Sequence, residues 1–161
     1  DLLDLACGPG NFTRHFAKTV TEGAVIGADL SLPMLKKGLR ELTRDGAPNI
    51  TLMRVDVTKW PFAAESFDRV HCAGALHLFP DLPGVFAGIR RSLRNGGIFA
   101  GSTYCVAESA AKRRIQAYVS AAHWFHWFRP EELGELASRA GFTGWEYRTR
   151  KQGIVFRAVR G

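Results

Sequence analysis

Short apolar runs alternate along this chain with longer stretches of helical periodicity, the pattern of a parallel sheet whose strands are joined through helices. Leu2–Ala6 reads as a buried strand ending in the turn Cys7-Gly8-Pro9-Gly10. A helix is predicted from about Asn11 to Val20, with Phe12, Phe16 and Val20 spaced to face a core. Ala24–Asp29 is the second strand. Ser31 as N-cap and Pro33 in the first turn then open a helix that runs to about Arg44. Strands follow at Ile50–Val55 and Arg69–Ala73. The next helix opens at Asp81 or Leu82 and closes near Asn95-Gly96-Gly97 with a left-handed cap. Ile98–Tyr104 is a fifth strand, Glu108–Val119 a helix, and Pro130–Arg139 a helix stopped by Gly141. Thr143–Thr149 and Ile154–Arg160 are joined only by a hairpin-length connection, Arg150 to Gly153, so the last two strands should pair antiparallel. The expected fold class is α/β, a doubly wound and mostly parallel sheet of about seven strands ending in an antiparallel hairpin.

The length of 161 residues suits one domain with a real core, and no repeat or linker divides it. Residues 1–161 are expected to form a single domain. Because Asp1 is not a methionine and strand residues begin at Leu2, a preceding helical segment is expected to be missing. No apolar run is long enough to insert in a bilayer. Cys7, Cys72 and Cys105 are odd in number and lack a C-x-x-C pair, which argues against a disulfide framework or a zinc site and fits a reducing cytoplasm. No carboxylate–histidine cluster has metal-ligand spacing, so no metal is expected. The net charge of +7 is concentrated modestly at Lys112-Arg113-Arg114 and at Arg148 to Lys151. These runs are either a solvated face or an attraction for an anionic ligand or nucleic acid.

Chemistry concentrates at the strand ends. A buried strand opening through Gly8 and Gly10 into a helix lets the backbone approach a ligand closely, with free N–H groups and a positive helix end towards it. The methionine carboxylate of S-adenosylmethionine would suit such a turn; so would a pyrophosphate. Asp29 ends the second strand, where a carboxylate can accept both hydroxyls of a ribose. Asp56 ends the third, where a carboxylate can accept an adenine amino hydrogen. Either aspartate alone could be a turn residue; both at successive strand ends after a glycine turn form a constellation.

Here the chain resembles a known family, the class I S-adenosylmethionine-dependent methyltransferases of the small-molecule "type 11" kind, which includes quinone-biosynthesis methyltransferases. Leu3-Asp-Leu-Ala-Cys-Gly-Pro-Gly10 is similar to the family's first motif, with Ala6 where glycine is more usual. Gly27-Ala-Asp-Leu-Ser31 with Met34-Leu35 resembles its second-strand acidic motif, and Asp56 with Trp60-Pro61-Phe62 and Ser66-Phe67-Asp68 its adenine region. Ala75-Leu-His-Leu-Phe-Pro-Asp81 and Leu93-Arg-Asn-Gly-Gly97 resemble the segments after strand four and before strand five. The resemblance implies a Rossmann-like fold and S-adenosyl-L-methionine as cofactor, with S-adenosyl-L-homocysteine as product. It also implies that Gly8 and Gly10 lie against the methionine part, that Asp29 with Leu30 holds the ribose, and that Asp56 with Val57 frames the adenine. Ala73 and Gly74 would line the floor beneath the sulfonium. Asp4 would orient the loop, and the Ala6 carbonyl would face the cofactor amine.

Methyl transfer is an in-line displacement in which positioning supplies most of the acceleration, and a base is needed only if the acceptor must lose a proton. His77, just beyond strand four, is the first candidate base; it is equally placed to pack or cap the next helix. Tyr104, after strand five, belongs either to an acceptor pocket or to the core. His123-Trp-Phe-His-Trp-Phe128 could wall an aromatic or lipid-like acceptor with His123, Trp124 and Trp127, or pack under the sheet through Trp124 and Phe128. The partner expected is a small-molecule acceptor. Three rivals remain. A nicotinamide-binding domain is disfavoured by Thr13 at the third glycine position of G-x-G-x-x-G. A nucleic-acid methyltransferase is disfavoured because no [N/D]-P-P-[Y/F] motif follows strand four, although surface charge alone can bind RNA. The third is a non-catalytic binding scaffold.

Overall fold

The computed structural model of the protein describes residues 1–45, 48–107, 109–123 and 125–161, with the backbone alone described at 45, 122 and 123. Strands β1 (Leu2–Leu5), β2 (Val25–Asp29), β3 (Ile50–Arg54), β4 (Phe67–Ala73), β5 (Leu93–Tyr104), β6 (Phe142–Arg150) and β7 (Gly153–Arg160) form a sheet in the order β3-β2-β1-β4-β5-β7-β6. The first five run parallel, and β7 pairs antiparallel with both β5 and β6. The doubly wound sheet with a closing hairpin is thus the one the periodicity predicts. Its strand order reverses between β1 and β4, and a crevice opens at the carboxyl ends of strands where the crossovers diverge.

Helices α1 (Asn11–Ala17) and α2 (Leu32–Asp45) cover the β1–β3 half of one face. Helices α3 (Leu82–Ser92) and α5 (Pro130–Arg139) pack beside β5 and β6. Helix α3 starts as its sequence requires, with the Asp81 carboxylate accepting from the Gly84 N–H at 3.0 Å and Pro83 in the first turn. Its buried residues Val85, Phe86 and Ile89 lie at helical spacing. They meet β5, whose odd positions Phe99, Gly101 and Thr103 are buried. Ring pairs tie the centre together, Phe86 on Phe99 at 5.5 Å and Phe99 on Phe156 at 5.2 Å, both edge-to-face. Helix α4 (Ala110–His123) is clamped to the end of β5 by a buried glutamine: Gln116 accepts from the Ala107 N–H at 2.8 Å and donates to the Cys105 carbonyl at 3.0 Å.

Two local expectations are corrected. The Asn95-Gly96-Gly97 stretch is not a helix cap. Helix α3 stops at Ser92, and β5 begins at Leu93; Gly96 takes φ +73° inside an irregular stretch where the β4–β5 register shifts. Nor does α1 bury Phe12, which is half exposed. The residue turned to the sheet is Thr13, fully buried, because its hydroxyl donates to the Asp4 carboxylate at 2.6 Å. Phe12 and Phe16 instead flank the His71 ring, each at 4.9 Å.

Candidate functional site

At the switch point the ends of β1, β2, β3 and β4 enclose a hollow of about 550 Å³, within the range of small-molecule sites. Of the residues expected around a cofactor, Ala6, Gly8, Asp29, Leu30, Asp56, Val57 and Ala73 line it. The three sequence-distant landmarks Gly8, Asp29 and Asp56 therefore converge. Asp4 and Gly10 do not line it; they build it from behind. Asp4 is buried beneath the loop and accepts from Thr13 and from the His71 ring Nδ1, the latter at 2.9 Å. Gly10, at φ +79°, is the N-cap of α1.

The loop is held by side chains rather than offering all its donors outward. Asp29 Oδ2 accepts from the Gly8 N–H at 2.7 Å and Oδ1 accepts from the Ser31 N–H at 2.8 Å. The Gly10 N–H donates to the Cys7 carbonyl at 3.0 Å. The expectation of free N–H groups in this turn is thus corrected for Gly8 and Gly10, whose N–H groups hold the turn's own shape. A carboxylate oxygen accepts more than one hydrogen bond, so Asp29 retains capacity towards the hollow. The Asp56 Oδ1 accepts from both the backbone and the hydroxyl of Thr58, at 3.0 and 2.7 Å. Those two bonds hold its carboxyl below the usual carboxylate range, so it stays an acceptor at neutral pH. Gly8 (φ +56°) and Gly74 (φ +66°) face open space where a Cβ would stand. They form a cradle that any side chain would partly fill. Ala6 takes φ +53° without a glycine's freedom.

The Cys7 thiol, behind the loop, is pushed up to about 12 by burial and by the nearby Asp4 and Asp29 carboxylates. It is therefore no nucleophile at neutral pH. Among the described residues no three histidine, cysteine, aspartate or glutamate side chains gather as a metal site. No helix among them is long and apolar enough to cross a membrane.

Beyond Ala73 and Gly74 the chain makes a short 3-10 turn, Leu76–Leu78. Ala75 and Leu78 line the hollow on either side of His77, which is itself buried. The Tyr104 ring lies edge-on to the His77 ring at 5.0 Å, and the Phe125 ring tilts over it at 4.1 Å. Trp127 completes the cluster, 4.4 Å from Phe125 and 6.1 Å from Tyr104. This aromatic stretch is anchored by main-chain bonds from the Phe128 N–H to the Tyr104 carbonyl and from the Val106 N–H to the Phe128 carbonyl. Burial pushes the His77 imidazole down from its ordinary range, and its Nδ1 stands 3.5 Å from the Thr103 hydroxyl. Trp124 and the side chain of His123 lie outside the described residues. His126 does not join the cluster; its Nε2 meets Glu132 at 2.7 Å.

Sequence reasoning quoted Met34, Phe79 and Pro80 only within motifs, gave them no place in a site and passed over Thr58; all four also border the hollow. Met34, Leu30 and Leu78 are large apolar residues left substantially exposed, and that exposure is visible only once the helix faces are known.

A family model described as "Methyltransferase domain" matches residues 2–97, which carry all three landmarks of the hollow. The chain belongs to this family. It is a class I S-adenosylmethionine-dependent methyltransferase domain, and its cofactor is S-adenosyl-L-methionine. Among curated relatives it is 32% identical to an uncharacterized chloroplastic methyltransferase of Arabidopsis thaliana, over 98% of this chain and 46% of that protein. It is also 32% identical to a malonyl-[acyl-carrier protein] O-methyltransferase of Salmonella typhimurium, over 89% of this chain and 53% of that one. The chain thus spans about half the length of these methyltransferases. The fold also matches Haemonchus contortus phosphoethanolamine N-methyltransferase 2, solved with S-adenosyl-L-methionine, at TM-score 0.89, 20% identity, 99% of this chain and 48% of that one.

Proposed function

We propose that this methyltransferase domain, residues 1–161, moves a methyl group from S-adenosyl-L-methionine to a small-molecule acceptor and releases S-adenosyl-L-homocysteine. The observation that carries the reading is the convergence of Gly8, Asp29 and Asp56 on one hollow at the strand-order switch. When bound, the donor supplies a methyl carbon already activated by its sulfonium. The protein's own part is to bind and align. Asp29 braces the glycine loop and offers its remaining lone pairs to a ribose. Asp56, held ionised by Thr58, offers an acceptor at the adenine end. Gly74 keeps the floor low. Tyr104, partly exposed, faces the acceptor with Trp127. His77 lies beneath their rings and acts as a positioning residue, its neutral imidazole setting the Tyr104 plane. Relatives named for malonyl-[acyl-carrier protein] and demethylmenaquinone support a modest acceptor group rather than a nucleic acid. Three free thiols are in keeping with a reducing cytoplasm.

Calorimetric titration with S-adenosyl-L-homocysteine tests the donor half. Binding by the parent and a loss of about a hundredfold in Asp29→Ala are expected, the size of a pair of charge-assisted hydrogen bonds. No binding by the parent overturns the reading. A metabolite screen with methyl-labelled donor tests the acceptor half, and label recovered in RNA instead of small molecules overturns it.

A further inference from the structure

The two basic runs of the sequence, Lys112-Arg113-Arg114 and Arg148 to Lys151, meet at one cavity through Lys112 and Lys151. Ala107 and Ser109 before α4 and Lys112 in its first turn line it together with Thr149 at the end of β6 and Lys151 and Gln152 of the β6–β7 turn, and it encloses about 810 Å³. Its lining differs from that of the hollow at the strand ends: two lysines, a serine, a threonine and a glutamine in place of apolar residues and aspartates. Among the described residues neither Lys112 nor Lys151 forms an ion pair. Two like charges at one concavity repel each other, and an anion between them relieves that cost.

The position of Lys151 is itself costly. Arg150 pairs with Gly153, so Lys151 and Gln152 form the two-residue loop of the hairpin, and Lys151 sits at φ +56°. Glycine or asparagine fills such a position more cheaply. The tight turn fixes the point and direction at which the Lys151 side chain leaves the backbone.

The cavity is also close to the acceptor side. Tyr104 pairs with Gly153, and the Cys105 N–H donates to the Gln152 carbonyl at 2.8 Å, so the hairpin turn lies against the end of β5. From Tyr104 to Ala107 the chain advances three residues, at most about 11 Å. The lysines thus stand within the span of one small molecule from the end of β5 that carries Tyr104. Ammonium groups with hydroxyl donors suit a tetrahedral dianion, whose oxygens accept from several directions; a planar carboxylate is better matched by the fork of an arginine.

We propose that the cavity bordered by Lys112 and Lys151 binds the phosphoryl group of a phosphorylated small-molecule acceptor. The word acceptor rests on the methyltransferase reading above; the anion site itself does not. Calorimetry with inorganic phosphate, phenyl phosphate, phenylacetate and phenol tests it on the parent chain, with S-adenosyl-L-homocysteine titrated separately. Phenyl phosphate should bind more tightly than inorganic phosphate, and phenylacetate and phenol more weakly than either. Lys112→Glu should weaken both phosphates about tenfold or more, the scale of one charge-assisted contact. Lys36→Glu, on the remote helix α2, should leave them unchanged. Trp127→Leu should remove only the advantage of the phenyl ring. Lys151→Gly should weaken phosphate binding while raising Tm, because it relieves the turn; that pairing separates a lost ligand contact from a damaged fold. Phosphate binding indifferent to Lys112→Glu and Lys151→Gly, or phenol bound as well as phenyl phosphate, overturns the proposal. So does a short RNA that displaces phenyl phosphate at a hundredfold lower concentration, which would make the cavity part of a nucleic-acid surface. Failure of S-adenosyl-L-homocysteine to bind the parent would sink the donor reading and leave the anion result to stand by itself.

Discussion

Around the donor hollow every polar side chain is fixed by hydrogen bonds to nearby backbone or to a buried partner: Asp29 by Gly8 and Ser31, Asp56 by Thr58, Asp4 by Thr13 and His71. At the end of β5, the side proposed for the acceptor, rings hold rings. His77, Tyr104, Phe125 and Trp127 share edges and faces, and the Trp127 indole N–H donates to the Gln116 carbonyl at 3.2 Å. Hydrogen bonds are directional and set positions narrowly, whereas ring contacts tolerate several offsets at similar energy. The first half suits an invariant donor. The second can be refitted to new acceptors without disturbing the first.

The comparison breaks most visibly at Asp4. Replacing it with alanine leaves the buried Thr13 hydroxyl and the His71 ring without their acceptor and unpins α1 from β1. Asp4→Ala should lower the unfolding free energy by about 3 kcal/mol, read from urea denaturation. Donor affinity should fall with it, because the loop between Leu5 and Asn11 loses its underside. An unchanged unfolding midpoint would show that the hydrogen bonds beneath the loop do not hold it.

The same contrast explains how much the chain discloses before it is folded. Glycines, strand-end aspartates and caps act within a few residues of themselves, so Gly8, Asp29, Asp56 and the Asp81 cap could be placed from spacing alone. The hairpin was legible because a two-residue loop has few geometries. Near Gly96 the same local logic misled, since a glycine with positive φ serves a strand irregularity as well as a helix end. The Phe12 face was misjudged because α1 is short and its sheet contact is made by a polar residue, Thr13, which periodicity of apolar residues ignores. The aromatic cluster depends on main-chain bonds from the 126–128 segment to His77 and Tyr104, and the Lys112–Lys151 cavity on the β5–β7 pairing; no local pattern encodes either meeting.

His77 offers a sharper test of the acceptor side. Its imidazole is depressed below its ordinary value of 6.5 by burial, so the unfolded chain takes up the proton first as pH falls. The stability that rests on its neutrality is therefore complete above that ordinary value and is lost as pH drops from there towards the depressed native one. His77→Phe should keep the ring packing and remove this dependence. Difference denaturation curves for the two proteins between about pH 7 and pH 5 should diverge towards the acid end, with the parent losing ground. Donor affinity should stay within about twofold, since none of the hydrogen bonds around the hollow passes through this side chain. Curves that stay parallel would mean that solvent reaches the imidazole in the native state and that the ring cluster is looser than described.

The smallest effect belongs to Ala6, where the donor side departs from its family's pattern. An alanine at φ +53° pays for the clash of its Cβ with the backbone, a cost of roughly 1–2 kcal/mol. Glycine removes that cost but gives the unfolded chain more freedom, which takes back about 0.4–1 kcal/mol. The net expectation for Ala6→Gly is a gain near 0.5 kcal/mol, seen as a small rise in Tm with donor affinity preserved. A clear loss of stability would mean that the methyl group packs productively against the strand ends, where Ala6 already touches the core cluster. In that case the left-handed alanine would belong to the packing, and the loop would owe its shape to contacts as well as to hydrogen bonds.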